Sequence, residues 1–206
     1  MKRASFALAA LVVVASAAPA YAEDKPFTNE RLIQRVLRQS LSIAEPGWAA
    51  RLVPDETLSA CSAVRNKPSH TLAEQIKKRE RKTIRYPADG NLIGDWKRGE
   101  AIARSGYGMR FNDYPATRPN GGNCYACHQL DPAEVSFGTI GISLKNYGKL
   151  HATKGQARIV YDKIYNSQAQ VACSLMPRFG ANGVLSIDQI RDLVAYLLDP
   201  ESPVNK

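Results

Sequence analysis

Five consecutive residues carry the clearest chemistry in the sequence: Cys124, Tyr125, Ala126, Cys127 and His128. Two cysteines separated by two residues and followed directly by a histidine form the pattern of c-type haem attachment. Two thiols about one helical turn apart can each add to one vinyl group of the same porphyrin, and the imidazole that follows then lies within reach of the iron. The pattern therefore predicts one covalently attached haem c, bound through Cys124 and Cys127, with His128 as an axial ligand of its iron.

Three other interpretations use the same residue types. A tetrahedral zinc site needs four ligands, usually with a second Cys/His pair at similar spacing, and the sequence contains no such pair. A thioredoxin-like redox pair lies at the start of a helix that follows a strand, and the flanking residues predict no strand. The third alternative is a chance occurrence of the motif in a soluble domain. Haem attachment is the interpretation that the motif favours.

The first 22 residues have the features of a secretory signal peptide. Lys2 and Arg3 precede an apolar stretch that Pro19 ends, and residues 20–22 form an A-x-A cleavage site. This stretch is too short for a membrane anchor, and we expect no membrane span elsewhere. Cleavage after Ala22 would leave 206 − 22 = 184 residues in the periplasm, an oxidising compartment of the kind that haem c attachment requires.

The exported chain would be basic. Removal of the signal leaves 26 Lys and Arg residues against 19 Asp and Glu residues, a net charge of +7. In an exported protein this excess does not indicate nucleic-acid binding, and it favours electrostatic steering towards acidic protein partners. The length allows one full domain plus an extension.

Hydrophobic periodicity predicts an all-α protein in two parts, a helical N-terminal extension over residues 23–90 and a domain over residues 91–206. In the extension we expect a helix around Leu32–Leu37, a break at Glu45–Gly47, a short helix over Asp55–Ala63, and a third helix opened by a Thr71–Glu74 capping box and ending before Pro87. The third helix runs into a basic run that is either a solvated face or a docking patch for an acidic partner: Lys77, Lys78, Arg79, Arg81, Lys82 and Arg85.

The domain is expected to contain helices over Trp96–Arg104 and Gln156–Tyr165, and a last helix capped by Ser186 with Gln189 and ended by Asp199–Pro200. Gly99 would allow another helix to approach closely. A turn-rich connection precedes the haem motif, and a glycine-rich loop follows it. Apolar residues of the second helix are available to cover a haem edge: Ile159, Val160, Tyr161 and Ile164.

Met176 is the expected sixth iron ligand. Met1 leaves with the signal and Met109 precedes the haem motif, whereas Met176 lies 176 − 128 = 48 residues after His128, in a loop before the last helix. Pro177 restricts Met176 to an extended conformation, which suits a side chain presented from a loop. A thioether ligand raises the reduction potential of haem iron. The alternative is a methionine of the core.

His151 and Cys173 are the rival ligands, whereas His70 is expected at a surface helix end. The use of Cys173 depends on Cys61, because two spare thiols in an oxidising compartment usually form a disulfide. A Cys61–Cys173 bond would tie the extension to the methionine loop. Free thiols and ligation by Cys173 are the alternatives.

Four stretches carry a resemblance to a known family: Gly-Gly-Asn-Cys-Tyr-Ala-Cys-His (121–128), Gly-Thr-Ile-Gly (138–141), Met-Pro-Arg-Phe-Gly (176–180) and Asp-Pro-Glu-Ser-Pro-Val-Asn (199–205). The chain resembles SoxX, a subunit of the SoxAX cytochrome of bacterial thiosulfate oxidation, from about residue 91 to the C-terminus. The haem motif is common to c-type cytochromes, whereas the last two stretches are much more specific.

The resemblance implies a class I cytochrome c fold in which Cys124 and Cys127 match the thioether positions, and His128 and Met176 match the axial positions. SoxX pairs with SoxA, a haem protein on which thiosulfate is joined to a cysteine of the carrier protein SoxYZ. The chain would then be a non-catalytic electron-transfer subunit of an L-cysteine S-thiosulfotransferase and would pass electrons to a small soluble cytochrome c. The alternative function is a free-standing periplasmic electron carrier.

One stretch departs from the usual pattern of this cytochrome class. Many members carry Gly-Pro-x-Leu after the haem motif, where this chain has Gly141-Ile142-Ser143-Leu144. In such folds the carbonyl of the second residue accepts the hydrogen bond of the ligand imidazole, and a carbonyl needs no proline. We therefore expect His128 Nδ1 within about 3.2 Å of the Ile142 carbonyl oxygen.

Overall fold

The computed structural model describes residues 30–40, 53–113, 116–151 and 153–206. Seven α-helices and no β-strand occur among these residues: α1 Glu30–Ser40, α2 Glu56–Ala63, α3 His70–Arg81, α4 Trp96–Arg104, α5 Tyr147–Leu150, α6 Gln156–Tyr165 and α7 Ile187–Leu198. The predicted all-α class is confirmed. The expected signal peptide and the break at Glu45–Gly47 lie outside the described residues. None of the seven helices has both the length and the hydropathy that a membrane crossing requires.

Side-chain caps decide where most of these helices begin. Asp55 accepts the Leu58 amide at 2.8 Å and so starts α2. At α7, Ser186 and Gln189 form the predicted capping box. The predicted box at Thr71–Glu74 is wrong, because Ser69 caps α3 two residues earlier and accepts the Leu72 amide at 3.3 Å. His70 is consequently the first residue of α3 and is exposed, as expected.

The core of residues 91–206 forms around a close crossing of α4 and α7. A Cβ atom on Gly99 would lie 2.1 Å from the backbone oxygen of Asp192, so only glycine allows the two backbones this distance, as predicted. Arg98 of α4 binds the buried Asp192 carboxylate through two hydrogen bonds of 2.9 Å each. The crossing therefore combines a close backbone approach with a bidentate ion pair.

Helix α6 packs into this core. Val160, Tyr161 and Ile164 are buried among the α7 residues, whereas Ile159 is half exposed. None of them lines the cavity described below. Val160, Tyr161 and Ile164 therefore contribute their apolar surface to the α7 contacts and not to that cavity, contrary to the expectation that they cover a haem edge.

The extension packs against α6 and the segment that follows it. Cys61 of α2 is bonded to Cys173, which confirms the predicted disulfide. Arg81 at the end of α3 donates to the Ala169 carbonyl at 3.0 Å, and the Tyr161 hydroxyl donates to the Arg85 carbonyl at 2.7 Å. Residues 53–90 thus contact the part of the chain that leads to Met176.

The disulfide should contribute strongly to stability, because it links residues 112 positions apart. The chain-entropy relation gives about 4 to 5 kcal/mol for a loop of this length, and measured losses are about 2–5 kcal/mol. We expect the double variant Cys61→Ala/Cys173→Ala to lose a free energy of unfolding in this range, measured by urea titration. A thiol reductant should lower the urea midpoint of the wild type and leave that of the variant unchanged. An equal effect of the reductant on both proteins would contradict the assignment.

Candidate functional site

One cavity of about 370 Å³ brings together the four residues predicted from sequence. Cys124, Cys127, His128 and Met176 all line it, and no Asp, Glu, Lys or Arg side chain among the described residues does so. Its volume lies in the range of pockets that bind small molecules and cofactors. The remaining lining is largely apolar: Met109, Gly122, Asn123, Ala126, Ile140, Ser174, Leu175, Pro177 and Phe179.

A single 3₁₀ turn positions the haem motif. The turn covers Cys124–Ala126, and the Cys124 carbonyl accepts the amides of Cys127 at 3.1 Å and His128 at 2.9 Å. Asn123 precedes it in the left-handed conformation, with φ of 48°, which asparagine tolerates better than most residues. This backbone directs both thiols and the imidazole into the same cavity.

The glycine-rich loop that contains Gly141 and Ile142 orients the His128 ring. Its Nδ1 atom lies 2.7 Å from the Ile142 carbonyl oxygen, which confirms the predicted hydrogen bond. Because a carbonyl can only accept, Nδ1 carries the proton and Nε2 carries the lone pair that a metal ion needs. A Cβ atom on Gly141 would lie 2.2 Å from His128 Cε1, so the loop can pass over the ring only at a glycine.

The environment of Cys124 favours an uncharged sulfur. Burial of the thiol raises the pKa of Cys124 to about 12, although the residue as a whole is only partly buried. A thioether is uncharged at every pH and suits this position better than a thiolate does. The described residues also contain no group of three or more His, Cys, Asp or Glu side chains that could hold a metal ion, as the zinc interpretation would require.

Two hydrogen bonds between serine hydroxyls and the Met176 backbone hold this residue in the loop before α7. The Ser167 hydroxyl donates to the Met176 carbonyl at 2.5 Å, and the Met176 amide donates to Ser174 Oγ at 3.2 Å. The rival ligands lie elsewhere. Cys173 is bonded to Cys61, and His151 is exposed and packs on the Tyr147 ring outside the cavity.

Met109 is the lining residue that the sequence argument passed over. Met109 lines the same cavity as Met176. The sequence did not predict this location. Residues 105–122, which include Met109, show no regular hydrophobic periodicity that would indicate which side chains point inward. Two methionines therefore line the cavity, and the sequence predicts Met176 as the ligand.

A buried ion pair lies beside the methionine loop. The Arg178 guanidinium contacts Asp55 and the Glu80 carboxylate, the latter at 3.2 Å, and both Arg178 and Glu80 are buried. Glu80 also accepts hydrogen bonds from Thr57 and, at 2.7 Å, from Asn166. Burial by itself raises the pKa of Glu80, but the hydrogen bonds from Asn166 and Thr57 and the charge of Arg178 outweigh it and hold this pKa below its usual value.

Comparison with known proteins gives one informative match. No protein-family model matches the chain. A protein of Aquifex aeolicus (strain VF5), described as an uncharacterized lipoprotein, is 42% identical to it over 169 residues, which cover 80% of this chain and 79% of the relative. The chain belongs to the family of this lipoprotein.

The buried Glu80 carboxylate should make the stability of the protein fall in acid. A folded-state pKa of Glu80 below its unfolded value means that the stabilisation is fully present above the unfolded-state pKa and is lost as the pH falls through the folded-state pKa. We expect Glu80→Gln to lower the urea midpoint at pH 7 and to flatten its fall below about pH 4. Glu201→Gln, which changes an exposed carboxylate, should retain the wild-type profile. Parallel wild-type and Glu80→Gln profiles would contradict the expectation.

Proposed function

We propose that the chain is an exported monohaem c-type cytochrome and serves as the electron-transfer subunit of a SoxAX-type complex. The observation that carries the proposal is the convergence of two thiols, an imidazole and a thioether on one cavity without charged lining. This donor set fits a covalently attached haem with His/Met ligation, and it fits no other cofactor considered above.

The residues of the cavity have separate roles in this proposal. Cys124 and Cys127 would hold the haem through thioether bonds, and His128 Nε2 and Met176 Sδ would bind its iron. A haem c bound in this way supplies a reversible one-electron couple of its iron. The Ile142 carbonyl fixes the His128 tautomer, and the mostly apolar lining would favour the less charged, reduced state of the iron.

The surface at the cavity mouth supports a protein partner. Ile140 and Leu175 line the cavity and are nevertheless 76% and 75% exposed, and Ile142, two positions after Ile140 in the chain, is 71% exposed. Clustered apolar exposure of this kind is typical of interaction sites. In the proposal the partner is a SoxA-like haem subunit, on which thiosulfate is coupled to a cysteine of a SoxYZ-like carrier with release of two electrons. A small soluble cytochrome c accepts these electrons from the present chain.

Export is supported by two independent observations. The Aquifex relative is described as a lipoprotein, and lipoproteins are exported proteins. The Cys61–Cys173 disulfide is typical of an oxidising compartment. Both support export, and the periplasmic location with signal cleavage after Ala22 stays a prediction from the sequence.

Substitution of the two cavity methionines tests the ligand assignment. We expect Met176→Leu to abolish the near-infrared methionine–iron absorption of the oxidised protein and to lower its reduction potential, because the thioether stabilises Fe(II). The matched variant Met109→Leu removes the other thioether of the same cavity and should leave the absorption band in place. Loss of the band in Met109→Leu alone would reverse the assignment, and a colourless wild-type protein would overturn the proposed function.

Purification from the native periplasm tests the partner. We expect a second haem polypeptide to co-purify in fixed ratio, and Ile140→Ser or Leu175→Ser to weaken its binding about tenfold or more. Ile159→Ser is the control, since Ile159 is 50% exposed but lies away from the cavity mouth. A monomer that carries haem and retains no second haem protein would favour the free-standing electron carrier instead.

A further inference from the structure

The segment that carries Met176 is fixed to the extension on both sides of the methionine. Three residues before it, Cys173 is bonded to Cys61 of α2 and has φ of 58°, a left-handed conformation that residues with a Cβ atom rarely adopt. Two residues after it, Arg178 is buried against Glu80 of α3. Met176 itself is partly buried between these two anchors. Both anchors come from residues 53–90 and neither from the remainder of the domain.

Glu80 is the centre of the second anchor. One carboxylate oxygen accepts Arg178 Nη1 at 3.2 Å and Asn166 Nδ2 at 2.7 Å, and the other accepts the Thr57 hydroxyl. Asn166 donates in addition to Thr83 Oγ1 at 2.8 Å, so the network reaches the residues that follow α3. Asn166 also precedes Ser167, whose hydroxyl binds the Met176 carbonyl. Glu80 therefore reaches the methionine from both directions, through Arg178 after it and through Asn166 and Ser167 before it.

The Glu80–Arg178 pair is shielded from water. The Glu80 and Arg178 side chains are 5% and 9% exposed, whereas Asp55, the second carboxylate on Arg178, is 48% exposed. A buried guanidinium that loses one of its two carboxylate partners is destabilised and shifts towards the partner that lies nearer to water. Since Arg178 lies two residues from Met176, such a movement would displace the methionine backbone. The hydrogen bond from Ser167 would be strained at the same time.

We propose that Glu80 is a positioning residue for the sixth iron ligand: through Arg178 and the Asn166–Ser167 link it holds residues 173–178 so that the Met176 thioether stays directed into the cavity. This assigns a function to the extension, which carries no cavity-lining residue of its own among those described. The ligand role of Met176 rests on the proposed function, whereas the immobilisation of the loop by Glu80 does not.

The test compares two isosteric substitutions in the full exported holoprotein. Glu80→Gln removes the charge of the carboxylate. Depending on how the new amide is oriented, Arg178 and Asn166 then face either its NH₂ group, which is a donor, or its oxygen, which is a weaker acceptor than a carboxylate. Asp192→Asn is the matched control, because Asp192 is also buried and also binds a guanidinium, but at the α4–α7 crossing away from the methionine loop. Asp55→Asn is the milder second variant, since Asn caps helices as well as Asp does and only the charge opposite Arg178 is lost.

Two measurements separate positioning from general stability. We expect Glu80→Gln to raise amide hydrogen exchange in residues 174–178 by about tenfold or more and to leave exchange in α4 and α7 unchanged. The same variant should lose part of the methionine–iron absorption band and have a lower reduction potential. Asp55→Asn should show the same changes to a smaller extent. Asp192→Asn should lower the urea midpoint without any change in the band, the potential or the exchange of the loop.

A double variant adds an internal check. If Glu80 acts through Arg178, Glu80→Gln/Arg178→Gln should change the potential no further than the larger of the two single changes, because residues in one network are not additive. Fully additive changes would overturn the route through Arg178. Unchanged loop exchange and potential in Glu80→Gln, with a stability loss like that of Asp192→Asn, would overturn the positioning role. Absence of haem from the wild type would overturn the proposed function, and loop exchange in Glu80→Gln would then decide the immobilisation alone.

Discussion

The candidate site depends on one contact between distant parts of the chain, the return of the Met176 loop to the turn that carries His128, 176 − 128 = 48 residues earlier. One 3₁₀ turn brings the two thiols and the imidazole to the cavity, and the Ile142 carbonyl, 14 residues after His128, fixes the imidazole ring. The thioether has no such local support. Its position depends on helix packing within the domain and on the contacts that the extension makes from outside.

Two kinds of restraint act on that loop, and they respond to different conditions. The Cys61–Cys173 bond is stable in an oxidising compartment and is lost on reduction. The Glu80–Arg178 pair requires a charged carboxylate and is lost in acid. A buried ion pair is a weak source of stability compared with an apolar contact of the same size, but it can enforce one geometry. In this protein the geometry concerned is that of a loop with few apolar contacts, since Leu175 and Pro177 are exposed.

Much of this arrangement could be predicted from sequence, for identifiable reasons. The Cys124–His128 pattern, the Ser186 cap and Gly99 are local signals, because each needs only its neighbours or the absence of a side chain. The disulfide could be predicted because an oxidising compartment was expected and two cysteines lie outside the Cys124–His128 pattern. The buried Glu80–Arg178 pair could not be predicted, because Glu80 lies in a basic helix where it looks like one more solvated charge. Met109 and the inward direction of Tyr161 were missed for a related reason: only the packed fold determines which face of a segment meets the cavity or the core.

The attachment of a porphyrin to the two motif thiols is the claim on which the functional account depends, and peptide mass spectrometry of the exported protein tests it most directly. The account predicts that the proteolytic peptide containing Cys124 and Cys127 carries the mass of one haem, that neither thiol reacts with an alkylating reagent, and that Cys61 and Cys173 are recovered as a linked pair. A peptide of unmodified mass in which both motif cysteines are alkylated would contradict it.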